Sequence, residues 1–191
     1  DPSEIPVAVP DPISMSGQGL EVTERFYLEQ GLSIFDLSHD GTSNFIVILM
    51  NTDGEYVEFL ANEIGKYNGA KALGIVDPGE YYFDVVADGS WSVDIEQPRP
   101  QNAQRVREVY SGSGCDVTQF MMLGRGEREF TLAHSGDENF TVELMNSDGE
   151  VVELVVNEIG EFQESRTVRI PSTGIYLFSV TADGNWAIQS E

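Results

Sequence analysis

Residues 44–65 read NFIVILMNTDGEYVEFLANEIG, and residues 139–160 read NFTVELMNSDGEVVELVVNEIG. The offset is 95, and at that offset residues 16–96 align on residues 111–191 without a gap, 36 of 81 positions being identical. One repetition in units of this length reads as two small domains in tandem, because a solenoid needs more and shorter units. Within one copy the period is two. Phe45, Val47 and Leu49 recur as Phe140, Val142 and Leu144, whereas Ile46 and Ile48 between them become Thr141 and Glu143. The shared set belongs on a core and the variable set faces outward, which is how strands read. Tyr81, Phe83 and Val85 behave the same way against Tyr176, Phe178 and Val180. The Asp-Gly pairs at 53–54 and 148–149 lie between two such runs and mark hairpin turns.

Strands are expected near 20–28, 32–38, 44–50, 55–61, 69–76, 79–87 and 91–96, and again 95 residues later. So many short strands with no helical period predict an all-β chain of two tandem antiparallel β-sandwich domains. Spacing does not separate a jelly roll from an immunoglobulin-like sandwich, although the Cys pair around a Trp is absent. The expected division is an extended tail at 1–15, a repeat at 16–96, a linker at 97–110 and a repeat at 111–191. Pro98 and Pro100 stiffen the linker, and Arg99, Arg105 and Arg107 make it either a solvated connection or a basic strap between acidic domains.

Ten basic residues against 33 acidic ones leave a formal net charge of −23. Such a chain cannot neutralise a row of phosphates, which argues against nucleic acid and equally against an anionic membrane surface. The longest apolar run, Phe45 to Met50, is far too short for membrane insertion. The charge suits cation binding, solubility or a high-salt habitat. A halophilic role predicts a melting temperature that still climbs near ~1 M salt, where screening has saturated. Cys115 is the sole cysteine, so neither an intrachain disulfide nor a cysteine metal cluster is possible.

The succession SGQG, VTERFYLEQG, FDLSHDGTSNFIVILMNTDG, NEIG and GEYYFDVVADGSWSVDIEQP resembles a small acidic β-sandwich domain of secreted and cell-surface prokaryotic proteins, frequent in halophilic archaea and high-GC bacteria. The resemblance covers both copies. It implies a β-sandwich fold and a secreted or cell-surface location, and it brings no catalytic residues with it.

His39 and His134 are the only histidines and are repeat-equivalent. Each precedes a Gly-containing turn, where a histidine bonded to backbone is expected sooner than a metal ligand or a triad member. No G-x-S-x-G, H-E-x-x-H or P-loop occurs, so no enzymatic activity is expected. The glycine strings at Ser16 and Ser111 precede strands and read as tight turns or bulges. Trp91 and Trp186, after Asp-Gly turns, read as core plugs sooner than as sugar-stacking platforms. Calcium is the cofactor the sequence leaves possible: Asp53 and Glu55, with Asp148 and Glu150, are turn carboxylates of the kind hard cations take, as are Asp40 and Asn44.

Pro2, Pro6, Pro10 and Pro12 make the first residues extended, with Ile5, Val7 and Val9 at alternate positions. An arm of this kind fits strand addition to a neighbouring subunit. Ile46 and Ile48 form an outward apolar strip in the first copy alone, a second candidate contact. The leading expectation is therefore a structural protein that self-associates into a surface filament or layer. The alternative is a calcium- or glycan-binding surface module.

Overall fold

The computed structural model describes residues 8–190. Ile5 and Val7 lie outside the described residues.

The first half carries strands β1 (Ile13–Gln18), β2 (Glu21–Val22), β3 (Phe26–Leu28), β4 (Gly31–Asp40), β5 (Asn44–Asn51), β6 (Tyr56–Ile64), β7 (Tyr67–Ile75), β8 (Gly79–Val86) and β9 (Ser90–Glu96). The second carries β10 (Gln104–Arg105), β11 (Val109–Ser113), β12 (Asp116–Val117), β13 (Met121–Leu123), β14 (Gly126–His134), β15 (Asn139–Asn146), β16 (Val151–Ile159), β17 (Phe162–Ile170), β18 (Gly174–Thr181) and β19 (Asn185–Ser190). Sheet A runs β1-β9-β4-β7, and sheet B runs β3-β8-β5-β6 with β2 also on β8. Sheets A′ (β11-β19-β14-β17) and B′ (β13-β18-β15-β16, with β12 on β18) repeat the pattern. The paired orders β1-β9-β4-β7 and β2/β3-β8-β5-β6 are those of a jelly roll, with β5 and β6 the hairpin that stays within one sheet. One pair departs from the antiparallel expectation: β10, from the linker, lies parallel to β13.

The period-two reading holds in β5, and in β15 and β18 it is interrupted where Met145, Leu177 and Ser179 are buried against the first half. Phe45, Val47 and Leu49 are fully buried and meet Phe35, Leu37, Phe83, Val93 and Ile95 in one core; Phe140, Val142 and Leu144 do the same in the other. Two features differ from the expected boundaries. Residues 13–15 are not tail: Ile13 and Met15 pair with Ile95 and Val93 and pack on the core. That pairing takes them out of any donor arm. The linker's start is not solvated either. Gln97 is buried, its amide nitrogen donating to Glu29 O and Ser33 Oγ, both at 2.9 Å. The Arg99 guanidinium donates to Gln30 O at 2.8 Å and Leu32 O at 3.1 Å.

The halves are not independent. The outer face of B′ lies on the outer face of A. Leu32 (0% exposed), Ala72 (3%), Met145 (1%) and Leu177 (0%) form a third cluster, with Ile34, Val117 and Phe120 against it. Strand β7 is an edge of sheet A, and its outward N–H groups are answered from the second half: Ala70 N donates to Cys115 O (3.1 Å) and Ala72 N to Ser179 Oγ (3.4 Å). An open edge, which invites aggregation, is thereby covered. The Asp148–Gly149 turn seats on this face so closely that a Cβ added to Gly74 would lie 2.2 Å from Gly149 O. Gly149 has φ +88, a conformation glycine alone adopts freely.

Candidate functional site

Both histidines are held in the same way, each against the core of its own half. In each half the imidazole stacks on a core phenylalanine, His39 on Phe45 and His134 on Phe140, at 4.6 Å between ring centroids. Nδ1 of His39 lies 2.6 Å from Gly65 O, and Nδ1 of His134 lies 2.9 Å from Gly160 O. A carbonyl only accepts, so each Nδ1 carries a proton. Nε2 faces a carboxylate, Asp88 Oδ1 at 3.3 Å and Asp183 Oδ1 at 3.1 Å. Nδ1 is thus tied to a backbone carbonyl, while Nε2 is buried beside the carboxylate without a hydrogen bond to it. The backbone partner was the expected one; the aspartates were not singled out. Their signal was in the sequence, as the Asp of the repeated Ala-Asp-Gly before each tryptophan. Gly41 and Gly136 are equally required, since a Cβ there would lie 2.1 Å from Asp88 Oδ1 and 2.0 Å from Asp183 Oδ1.

Hydrogen bonds from Thr42 N and Ser43 N hold the Asp88 carboxyl below its ordinary range. At Asp183, desolvation pulls the other way but is outweighed by the N–H groups of Asp137 and Glu138. Carboxyls lowered in this way contribute stability above the ordinary carboxylate range, and it is lost as pH falls through the lowered value.

The calcium candidates are not gathered. Among the described residues, no three His, Cys, Asp or Glu side chains converge as a metal site would need. In the first turn Asn51 Oδ1 accepts from Asp53 N and Glu55 N, while its amide donates to Glu55 Oε2 at 3.0 Å. Asn146 does the same for Asp148 and Glu150. Each glutamate thus closes its own turn, and each aspartate points to solvent. Asp40 is paired with Lys66 at 2.7 Å, with no bond to Asn44. Trp91 and Trp186 are buried, and Gly17 and Gly112 leave room for their indoles. This explains the glycine strings and removes both rings as sugar platforms.

Like charges meet where the halves join. Asp36 is pushed up by desolvation and by Glu96, Asp94 and, across the junction, Asp116. Glu63 is pushed up by desolvation and by Glu138 and Asp183 of the second half. A carboxyl raised on folding favours the folded state at acid pH, and that contribution is lost as pH rises through the raised value. What remains at neutral pH is repulsion. Asp36→Asn is therefore expected to raise the melting temperature at pH 7 by on the order of 1–2 °C at low salt, and by less near 1 M salt. A lowered melting temperature at low salt would contradict the reading.

Two surfaces stand out. The first is a cleft of about 710 Å³ between the halves, bordered by Gln30, Arg99, Gln101, Ser147, Asp148 and Glu150. The second is the outer face of sheet B. Ile46 pairs with Val86 and Asn62, Ile48 with Asp84 and Phe59, and Met50 with Tyr82 and Tyr56, all on the solvent side. Tyr56 and Phe59 are exposed and touch each other, with centroids 5.2 Å apart. The expected outward strip at Ile46 and Ile48 lies on this face with both isoleucines half-buried, Asn62 and Asp84 beside them and the exposed Tyr56–Phe59 pair at one side. Val9 is exposed beside Glu29, Gln30 and Arg99, at the far end of the proposed arm from Ile5.

No family model matches the chain, and no curated protein matches it in sequence. Among solved structures it is similar to the protein YhaK from Escherichia coli (11% identity, 96% of this chain and 85% of that one, TM-score 0.32). It is also similar to the tandem CBM22 domains of Paenibacillus barcinonensis Xyn10C (9% identity, 94% and 91%, TM-score 0.26). A third is a fucolectin from striped bass serum (8% identity, 93% and 85%, TM-score 0.24). At these TM-scores no residue role is transferred from any of them.

Proposed function

We propose that this chain is a non-enzymatic module of the cell surface or extracellular space, two tandem β-sandwich domains locked into one unit, which acts by docking other protein on its exposed apolar sheet face. The observation that carries this reading is the outer face of sheet B. Monomeric proteins keep such patches small unless a partner covers them, and here Ile46, Ile48, Met50, Tyr56, Phe59 and Tyr82 share one face. The structural role given to both histidines supports the non-enzymatic part. A photoreactive residue at position 48, irradiated in the producing cells, is expected to yield a discrete protein adduct that Phe59→Glu abolishes. Carbohydrate adducts, or none, would overturn the reading.

One observation favours a second reading, glycan binding. The cleft between the halves is large enough for a sugar and offers amide and carboxylate side chains for hydroxyl groups. Binding on a glycan array that is lost in Glu150→Ala, with position 48 giving no protein adduct, would put this reading first.

A further inference from the structure

The repeat makes the sheet B face more specific than an apolar patch. Part of its counterpart 95 residues later, the side of B′ formed by β12, β18 and the Asp148–Gly149 turn, is docked inside the molecule, so the kind of surface that side accepts is known. Met145, Val117 and the Asp148–Gly149 turn of the docked face are matched by Met50, Val22 and Asp53–Gly54, and Leu177 by Tyr82. Gly149 is buried where Gly54 is exposed, and Val22 is 65% exposed. The first half therefore presents a face of related pattern, with Arg25 where the docked face has Phe120, and no described residue of the other half lies on it.

The receiving surface is not repeated. Leu32, Ile34, Ala72 and Gly74 of sheet A become Glu127, Glu129, Thr167 and Arg169 on A′. A side chain at 169 stands where even a Cβ on Gly74 would strike the turn's backbone, and two glutamates replace the apolar floor. A second copy cannot take the position through A′, and its own sheet A is already covered.

We propose, building on the docking function above, that the outer face of sheet B binds a β-sandwich of another protein molecule whose sheet presents the Leu, Ile, Ala, Ala and Gly pattern of residues 32, 34, 70, 72 and 74. The partner's edge strand would direct its free N–H groups at the Leu20 carbonyl and the Asp84 carboxylate. These stand where Cys115 O and Ser179 Oγ stand in the second half. Its glycine would admit the Asp53–Gly54 turn.

The test gives the full chain the missing surface. The unaltered chain should sediment as a monomer, and Glu127→Leu, Glu129→Ile, Thr167→Ala and Arg169→Gly together should convert it into linear oligomers that lengthen with concentration. Adding Met50→Glu and Tyr82→Glu, on the opposite end, should remove every species above the monomer. If the four changes unfold the chain, the pair Glu127→Leu and Arg169→Gly is read in the same way. A folded variant that stays monomeric overturns the proposal, as do oligomers that survive Met50→Glu and Tyr82→Glu. So does a dimer of the unaltered chain that Tyr82→Glu dissolves, since the occupant is then a second copy. Failure here with a protein adduct still formed at position 48 leaves the docking function standing and refutes only the partner's surface.

Discussion

Gly74→Val should split the thermal unfolding of this protein into two transitions. The argument starts from one contact. An ideal Cβ at position 74 lies 2.2 Å from Gly149 O, and that oxygen is backbone, so no side-chain rotation relieves the clash. The turn lies on the paired residues Leu32 and Gly74 together, so the displacement that relieves the clash carries it away from sheet A. The halves must part, and Leu32, Met145 and Leu177 return to water. At about 1.5–3 kcal/mol for each large apolar side chain, the coupling lost amounts to several kcal/mol. Each half retains its own core. Calorimetry of the unaltered chain should therefore show one transition and Gly74→Val two, the lower belonging to the weaker half. Gly79→Ala is the control, since nothing lies within 4 Å of a Cβ there. A single, barely shifted transition in Gly74→Val would mean that the contact between halves contributes little.

Phe140→Ala should cost about 3–5 kcal/mol, the range for emptying a phenylalanine site in a core. The ring is fully buried between His134, stacked at 4.6 Å, and Phe162 at 5.8 Å. Its loss leaves the His134 imidazole face against a void while Nδ1 stays tied to Gly160 O, so the site cannot collapse around it. Phe45→Ala removes the same ring from the same surroundings, with His39 at 4.6 Å and Tyr67 at 5.7 Å. The two losses should match closely and add, because they fall in separate cores. Their sum approaches the whole stability of an ordinary domain, so the double variant should not fold. Denaturant titration of the single variants checks the first claim. A cost below about 1 kcal/mol for either would show that the stacked pair is not part of the core.

How much of this was legible depended on whether a residue acts within its own repeat. The alternation of Phe45, Val47 and Leu49 placed strand β5 and its buried face, because side-chain period and burial are both local. Strand β1 was missed because prolines at 10 and 12 mask the alternation of Ile13 and Met15 beyond them. The Asp88 and Asp183 partners of the histidines were missed because a turn Asp before Gly has a sufficient local explanation. The junction left the faintest trace of all. Leu32 and Gly74 differ from Glu127 and Arg169, and a difference between copies reads as drift until the structure places both against the Asp148–Gly149 turn. Ile46 and Ile48 against Thr141 and Glu143 were the same kind of difference, and they lie on the outer face of sheet B.

The contrast between Gly74 and Arg169 gives the molecule a direction. An assembly that used this contact would add a partner at the outer face of sheet B and would stop at sheet A′, where Arg169 stands in place of Gly74. Its length would then follow from the order in which the two kinds of half are strung, with no separate terminator needed.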